Sequence, residues 1–195
     1  MIRIGLTGGI ATGKSVVKTI WEKYIKVIDC DDIAHECLKY DGQAYLEILT
    51  KFGENVFNPD KTISREALGK MVFFNRKKLE KLNRIMIPKI RIHYRSFMNN
   101  KKLHPSGTAA VVAPLLFEQE LEGDFDVIVA VGCQPGQQIR RLLKRKLPAS
   151  QVKARIDAQL PVLDKLNLAE YVIWTGGTVA ATELQAKAVL RAIQG

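Results

Sequence analysis

What the sequence lacks narrows the field first. None of its 195 residues belongs to an apolar run approaching the roughly 18 consecutive residues of a membrane span, so no transmembrane segment and no membrane partner are expected. Met1-Ile2-Arg3-Ile4-Gly5-Leu6 runs straight into a glycine loop rather than a cleavable signal, which makes a cytosolic protein the expectation. Cysteine is scarce and its number odd. Cys30, Cys37 and Cys133 stand at no metal-ligand spacing and read as reduced thiols without a disulfide or metal role. Internal repeats and low-complexity tracts are missing. Acid is missing locally: from Arg76 to Lys102, Glu80 is the only acidic residue.

What is present fits a globular enzyme of modest size. A length of 195 residues matches one α/β domain with a small insertion, and an apolar content of 47 % supplies a core. The net charge is +10, concentrated in Arg76 to Lys102 and in Arg140 to Arg155. A basic chain attracts phosphates, whether on nucleic acid, on a membrane surface or on a small anionic substrate, and composition alone does not choose among them. Such a run is also what a solvated helix face looks like.

Ile2 to Leu6 is short, apolar and rich in β-branched residues, and it ends in Thr7-Gly8-Gly9, as a buried parallel strand enters a loop. Val16, Val17, Ile20, Trp21 and Tyr24 then recur at helical spacing, and Lys26-Val27-Ile28-Asp29 reads as a second strand. A strand, helix, strand unit implies a parallel sheet. From Ile33 to Leu103 the pattern is helical, with turns at Asp41-Gly42, Gly53 and Asn58-Pro59-Asp60. Ser64 and Asn75 are placed as N-caps and Pro88 as the first turn of a further helix. Thr108 to Ala113, Asp126 to Val131 and Tyr171 to Trp174 restore the strand pattern.

Gly8-Gly9-Ile10-Ala11-Thr12-Gly13-Lys14-Ser15 fits G-x-x-x-x-G-K-[ST] without departure, between a predicted strand and a predicted helix. Glycines let consecutive N–H groups turn toward phosphate oxygens, and the helix N-terminus behind them adds positive partial charge. Lys14 is placed to reach the β and γ phosphates and Ser15 to hold Mg²⁺ with its hydroxyl. The candidate ATP site is therefore Gly8, Gly9, Ile10, Ala11, Thr12, Gly13, Lys14, Ser15 and the adjoining Val16, with Mg²⁺ accompanying ATP. A GTP switch would carry Asn-Lys-x-Asp, and Asn100-Lys101-Lys102-Leu103 lacks the aspartate. A nucleic-acid motor needs a longer core and an Asp ending a second apolar strand, where this chain has Pro114 after Val111-Val112-Ala113. Small-molecule kinases remain.

Asp29-Cys30-Asp31-Asp32 is read as the end of the second strand, the edge at which open α/β sheets bind ligands. Strand alternation then puts Asp29 and Asp31 on one side and Asp32, a candidate helix cap, on the other. Asp31 becomes a candidate to accept the proton of an attacking hydroxyl. Trp21 and Tyr24 read as core, His93 and His104 as solvent-facing, and Glu118 either as a residue orienting acceptor or metal or as a plain surface acid.

The chain resembles the dephospho-CoA kinases along nearly its whole length. The likeness is carried by Leu6-Thr7-Gly8-Gly9-Ile10, by Val27-Ile28-Asp29-Cys30-Asp31, and by Arg65 with Leu68, Val72 and Phe73. It continues in Leu82-Asn83-Arg84-Ile85 with Pro88, in Pro114-Leu115-Leu116-Phe117-Glu118, and in Gln138, Arg141 and Arg145 at lid-helix spacing. The resemblance implies a three-layer α/β P-loop NTPase fold with a parallel sheet, a helical acceptor-binding insertion and a helical lid. It divides the chain into a core of residues 1–32, 104–138 and 161–195, an insertion of 33–103 and a lid of 139–160. It implies phosphorylation of the ribose 3'-hydroxyl of dephospho-CoA, with ATP and dephospho-CoA as partners and no nucleic acid. Lys14, Asp31 as base and Arg141 on the transferring phosphate would be catalytic, with Arg145 beside Arg141 on ATP. Thr7, Asp31, Arg65, Asn83, Leu115 and Glu118 would hold the acceptor. The expected state is a monomer or weak homo-oligomer. This chain departs from the family's pattern at His35, where Arg is usual, and at Ile87, where a His precedes the proline. Glu170 replaces an Asp, Thr175 an Asn, and Lys146 stands where the lid carries an Asp. A nucleoside or nucleotide kinase of the same fold, and a nucleic-acid-binding ATP switch motivated by the charge, are the alternatives.

Overall fold

A computed structural model describes residues 1–40, 42–73 and 75–195, so Asp41 of the expected turn lies outside the described residues, as does the side chain of Phe73. The chain divides into two compact units, one of Met1–Asp29 with Met98–Gly195 and the other of Cys30–Phe97.

The first unit is built on a five-stranded parallel sheet in the order β2-β3-β1-β4-β5. Its strands are β1 (Ile2–Gly8), β2 (Lys26–Asp29), β3 (Thr108–Val112), β4 (Val127–Gly132) and β5 (Tyr171–Trp174). β1 is central and buried from Ile4 onward, which explains its near-continuous apolar run. Helix α1 (Lys14–Trp21) packs with Val17, Ile20 and Trp21 against Ile4, Leu6, Val129 and Val131 of the sheet and Ala186 and Leu190 of the C-terminal helix. Trp21 is fully buried, and its indole N–H donates to the Ala186 carbonyl at 2.9 Å. That anchor resists truncation by about 3–5 kcal/mol. Tyr24, expected on the same stripe, is 51 % exposed, because α1 ends at Trp21 and the chain turns.

The second unit holds α2 (Cys30–Cys37), α3 (Tyr45–Phe52), α4 (Arg65–Phe73) and most of α5 (Arg76–Asn99). Ser64 and Asn75 cap as expected: Ser64 Oγ accepts from Ala67 N–H at 3.2 Å, and Asn75 Oδ1 from Lys78 N–H at 3.0 Å. The Asn58-Pro59-Asp60 turn closes with Lys61 N–H on Asn58 O at 2.9 Å and a bridge between Phe57 and Ile63. Pro88 corrects the sequence reading, since it lies inside the 24-residue α5 rather than opening a new helix. Its missing amide hydrogen leaves the Arg84 carbonyl without the usual helical donor. The buried face of Ile85, Met86, Ile90 and Tyr94 runs through the position and keeps the helix continuous.

A further correction concerns the acid pair. β2 stops at Asp29, and Asp31 and Asp32 lie in the first turn of α2, where carboxylates oppose the positive helix end. Strand alternation therefore does not govern them, and Asp32 is within the turn rather than its cap. His104, expected at the surface, is only 4 % exposed, drawn inward by the tight turn that closes with Gly107 N–H on its carbonyl before β3. His93 is half-buried on α5. Among the described residues no helix is long and apolar enough to cross a membrane.

Candidate active site

The phosphate loop leaves β1 at Gly8 and enters α1 at Lys14. Two positions demand glycine. Gly8 has φ 143°, and a Cβ there would stand 2.3 Å from the Val131 carbonyl oxygen. Gly13 has φ 103° and closes the loop in the left-handed region. Ala11 also has a positive φ, 58°, and is buried.

Side chains from elsewhere in the first unit converge on this loop. The Lys14 ammonium donates to the Gly8 and Gly9 carbonyls, both at 2.8 Å. Thr12, fully buried, turns its hydroxyl to the Gly9 carbonyl at 2.9 Å. Arg141, on α6 (Pro135–Lys144), donates from Nη1 to the Ala11 carbonyl and to Thr175 Oγ1, each at 3.1 Å, and from Nη2 to the Thr175 carbonyl at 2.7 Å. Thr175 Oγ1 in turn donates to the Thr12 carbonyl. A single guanidinium thus ties the loop to the end of β5.

Thr175 and Glu170, two of the departures, take local backbone roles. Glu170 Oε2 accepts from Ile128 N–H at 2.7 Å, so the longer side chain still reaches the start of β4. Ser15 is exposed on the first turn of α1, Val16 is half-buried beside it, and Arg145 is exposed at the end of α6. Asp29 pairs with Lys18 at 3.5 Å. Thr7 is completely buried, and its hydroxyl has no hydrogen-bond partner among the described residues. Cys133 is buried, and burial pushes its thiol pKa up against the opposing pull of Arg141.

Glu118, expected either to orient acceptor or metal or to be a plain surface acid, is not a plain surface acid. It anchors a buried pair: Lys165, on α8 (Val162–Leu168), is fully buried and places Nζ 2.7 Å from Glu118 Oε1 and 2.7 Å from the Pro114 carbonyl. The same Oε1 accepts from Leu160 N–H at 2.8 Å, while Oε2 is buried without a hydrogen-bond partner among the described residues. Burial lowers the Lys165 pKa and pairing with Glu118 opposes that shift. Leu115 is half-buried in the turn after β3.

In the second unit Asp31 and Asp32 are exposed on α2, Asn83 is half-buried on α5, and Arg65 is exposed at the start of α4. Arg65 Nη1 lies 3.4 Å from His35 Nδ1, an acceptor when the ring proton is on Nε2.

Sequence reasoning missed Gln159 and Lys165. Gln159 Oε1 accepts from the Ile10 N–H at 2.7 Å, and Lys165 is a charged residue with no exposure. Neither sits in a motif. Their partners are 149 and 51 residues away along the chain, so no local pattern announces them.

A central strand running into a glycine loop and a helix, within an all-parallel sheet, defines a P-loop kinase-type α/β protein. Comparison with known proteins narrows the class. The dephospho-CoA kinase family matches residues 2–180. A dephospho-CoA kinase of Bacillus thuringiensis subsp. konkukian is 39 % identical over 194 residues, covering 96 % of this chain and 95 % of the relative. A solved Thermus thermophilus protein, TT1252, superposes with a TM-score of 0.83 at 29 % identity, covering 100 % of this chain and 98 % of that one. The dephospho-CoA kinase of Campylobacter jejuni gives 0.72 at 26 %, covering 98 % and 96 %. The chain belongs to the dephospho-CoA kinase family.

Proposed function

We propose that this protein transfers the γ-phosphate of ATP to the ribose 3'-hydroxyl of dephospho-CoA, the last step of coenzyme A synthesis. The observation that carries the reading is the complete phosphate loop, set between β1 and α1 in a chain that matches the family over residues 2–180. Phosphoryl transfer asks the protein mainly for positioning and charge neutralisation. Lys14 supplies the mobile cation on the transferring group. It exchanges the Gly8 and Gly9 carbonyls for phosphate oxygens when nucleotide enters.

Mg²⁺ fits the residues present. Ser15 offers an exposed hydroxyl at the helix start, a hard oxygen donor, and Mg²⁺ characteristically completes its shell with substrate phosphates and water. When bound, the ion neutralises charge on the β and γ phosphates. Asp31, exposed in the first turn of α2, receives the 3'-hydroxyl proton and orients that hydroxyl. Arg141 on α6 and Arg145 just past its end are the ATP-binding basic residues of a lid spanning 139–160, and Arg141 keeps the loop in register while it stabilises transferred charge. Arg65 and Asn83 are the insertion's candidates to bind the acceptor, and Thr7, Leu115 and Glu118 are those of the core.

A substrate panel tests the reading. With ATP and Mg²⁺, dephospho-CoA, adenosine, AMP and CMP are offered in turn, and ADP release and product mass are followed. Phosphorylation of dephospho-CoA in preference to the other three is expected. Preference for AMP, CMP or adenosine would make the chain a nucleotide or nucleoside kinase of the same fold.

A further inference from the structure

The phosphate loop is held at Ile10 through both of its main-chain groups, which belong to two successive peptide units. Its N–H donates to Gln159 Oε1 at 2.7 Å, and its carbonyl accepts from Gln138 Nε2 at 2.7 Å. The two carboxamides act in opposite senses, one as acceptor and one as donor, which is the division of labour that a single residue's N–H and C=O require. Gln138 is 3 % exposed, so its bond is sheltered from competing water.

These glutamines stand immediately before and at the end of the 139–160 segment, which contains most of α6 and all of α7 (Ala149–Asp157). The two ends of that segment are therefore fastened to the same loop residue. The fastening continues past Gln159, because the next residue, Leu160, gives its N–H to Glu118, which is itself fixed by the buried Lys165. A packed patch backs the arrangement: Leu142 of α6 and Val152 of α7 lie against Ala11 of the loop, with Ile10, Leu147 and Ile156 around them.

We propose that Gln159, together with Gln138, is a positioning residue for nucleotide: the pair fixes the two peptide planes that flank the Ile10 Cα, Gly9–Ile10 and Ile10–Ala11, and so sets the direction in which the following loop amides face the phosphates. The inference deepens the kinase reading and rests on the loop's being the ATP site, but not on the identity of the acceptor. A loop whose amides serve an anion works only when consecutive peptides are oriented together. Releasing the Ile10 N–H lets the Gly9–Ile10 plane rotate, which weakens the cradle without removing any group that touches phosphate.

The test uses the full-length protein and three variants. Gln159→Met keeps length and bulk but has no acceptor for the Ile10 N–H; Gln159→Asn is one methylene shorter and draws the acceptor back; Gln159→Glu keeps an oxygen at the same reach. ATP binding is measured by calorimetry without acceptor, and steady-state KM and kcat are measured for ATP and for dephospho-CoA. Gln159→Met is expected to weaken ATP binding and raise the ATP KM about five- to tenfold, the scale of one lost hydrogen bond, with the dephospho-CoA KM unchanged. Gln159→Asn behaves alike and serves in place of the methionine variant if that fails to fold. Gln159→Glu recovers at least half of the loss at high ionic strength, where its added charge is screened. Adding Gln138→Met to Gln159→Met gives less than the product of the two single effects, because the two peptide planes they hold share the Ile10 Cα. Unchanged ATP binding in the folded methionine or asparagine variant, or a lowered melting temperature with no shift in ATP affinity, overturns the proposal. If wild-type protein binds ATP but ignores dephospho-CoA, the acceptor assignment fails while the binding arm still decides the clamp.

Discussion

Lys165→Met is the sharpest test of how the loop after β3 is held. Wild-type Lys165 has no exposed surface and gives its ammonium to Glu118 and to the Pro114 carbonyl, each at 2.7 Å. Methionine fills nearly the same volume, so the change removes charge and hydrogen bonds with little cavity. Breaking a buried pair by deleting one partner costs about 3–5 kcal/mol, and an orphaned carbonyl costs about 1–3 kcal/mol. Glu118 keeps the Leu160 N–H and is 17 % exposed, so water relieves part of its penalty. The net expectation is a loss of about 3–4 kcal/mol, read by urea unfolding followed by circular dichroism, and a melting temperature lower by about 10 °C. Glu118→Gln added to Lys165→Met should recover about half, since a neutral amide oxygen still accepts from Leu160 and no unpaired charge remains. The pH dependence has a definite sign. The folded Lys165 pKa is lowered by burial, so the unfolded chain binds more protons between that value and the ordinary lysine value. The residue's contribution to stability therefore rises with pH across that alkaline window, and the penalty is full below it. Lys165→Met lacks this rise. A variant within about 1 kcal/mol of wild type at neutral pH, less than a broken buried pair should cost, would refute the reasoning.

Three further outcomes are expected. Lys14→Ala should lower kcat by about 10³-fold with little change in melting temperature, because its ammonium lies on the Gly8 and Gly9 carbonyls of the loop rather than in the apolar core; wild-type turnover would remove it from the site. Asp31→Asn should lose about 10²-fold in kcat at saturating substrates while ATP still binds, and Asp32→Asn, about 100° further round the helix, should lose far less; the reverse order would make Asp32 the base. Arg141→Ala should lower kcat more than it raises the ATP KM, and Arg141→Lys should restore only part, since one ammonium does not span the Ala11 carbonyl and both Thr175 oxygens; normal kcat with a raised KM would make Arg141 a binding residue alone.

The residues that were legible in the sequence are those whose neighbours along the chain share their work. β1, β3, β4 and β5 are short apolar runs, and the loop after β1 is a contiguous motif, so period and spacing suffice. Pro88 was misplaced because a proline usually opens a helix. Here the buried face of α5 continues on both sides of it, and that side-chain packing outweighs one missing hydrogen bond. The acid pair was misread by carrying strand alternation two residues too far. Ile33 and Cys37, buried four apart, were the available sign that α2 had already begun. Gln159 and Lys165 were beyond reach for a different reason: a polar side chain's burial depends on partners that only the fold brings near.

The same distinction applies to Thr175 and Glu170. The Thr175 hydroxyl donates to the Thr12 carbonyl and accepts from Arg141, two bonds that fasten the loop to the end of β5. Glu170 Oε2 accepts from the Ile128 N–H, and the Glu170 N–H returns to the Ile128 carbonyl at 3.1 Å. In both cases the bond is made to main chain, and a main-chain partner accepts any side chain that brings the right donor or acceptor to the right point. In the proposed reaction Lys14 and Ser15 would have no such latitude, since a charge and a metal-binding oxygen would have to reach a ligand whose geometry the protein does not choose.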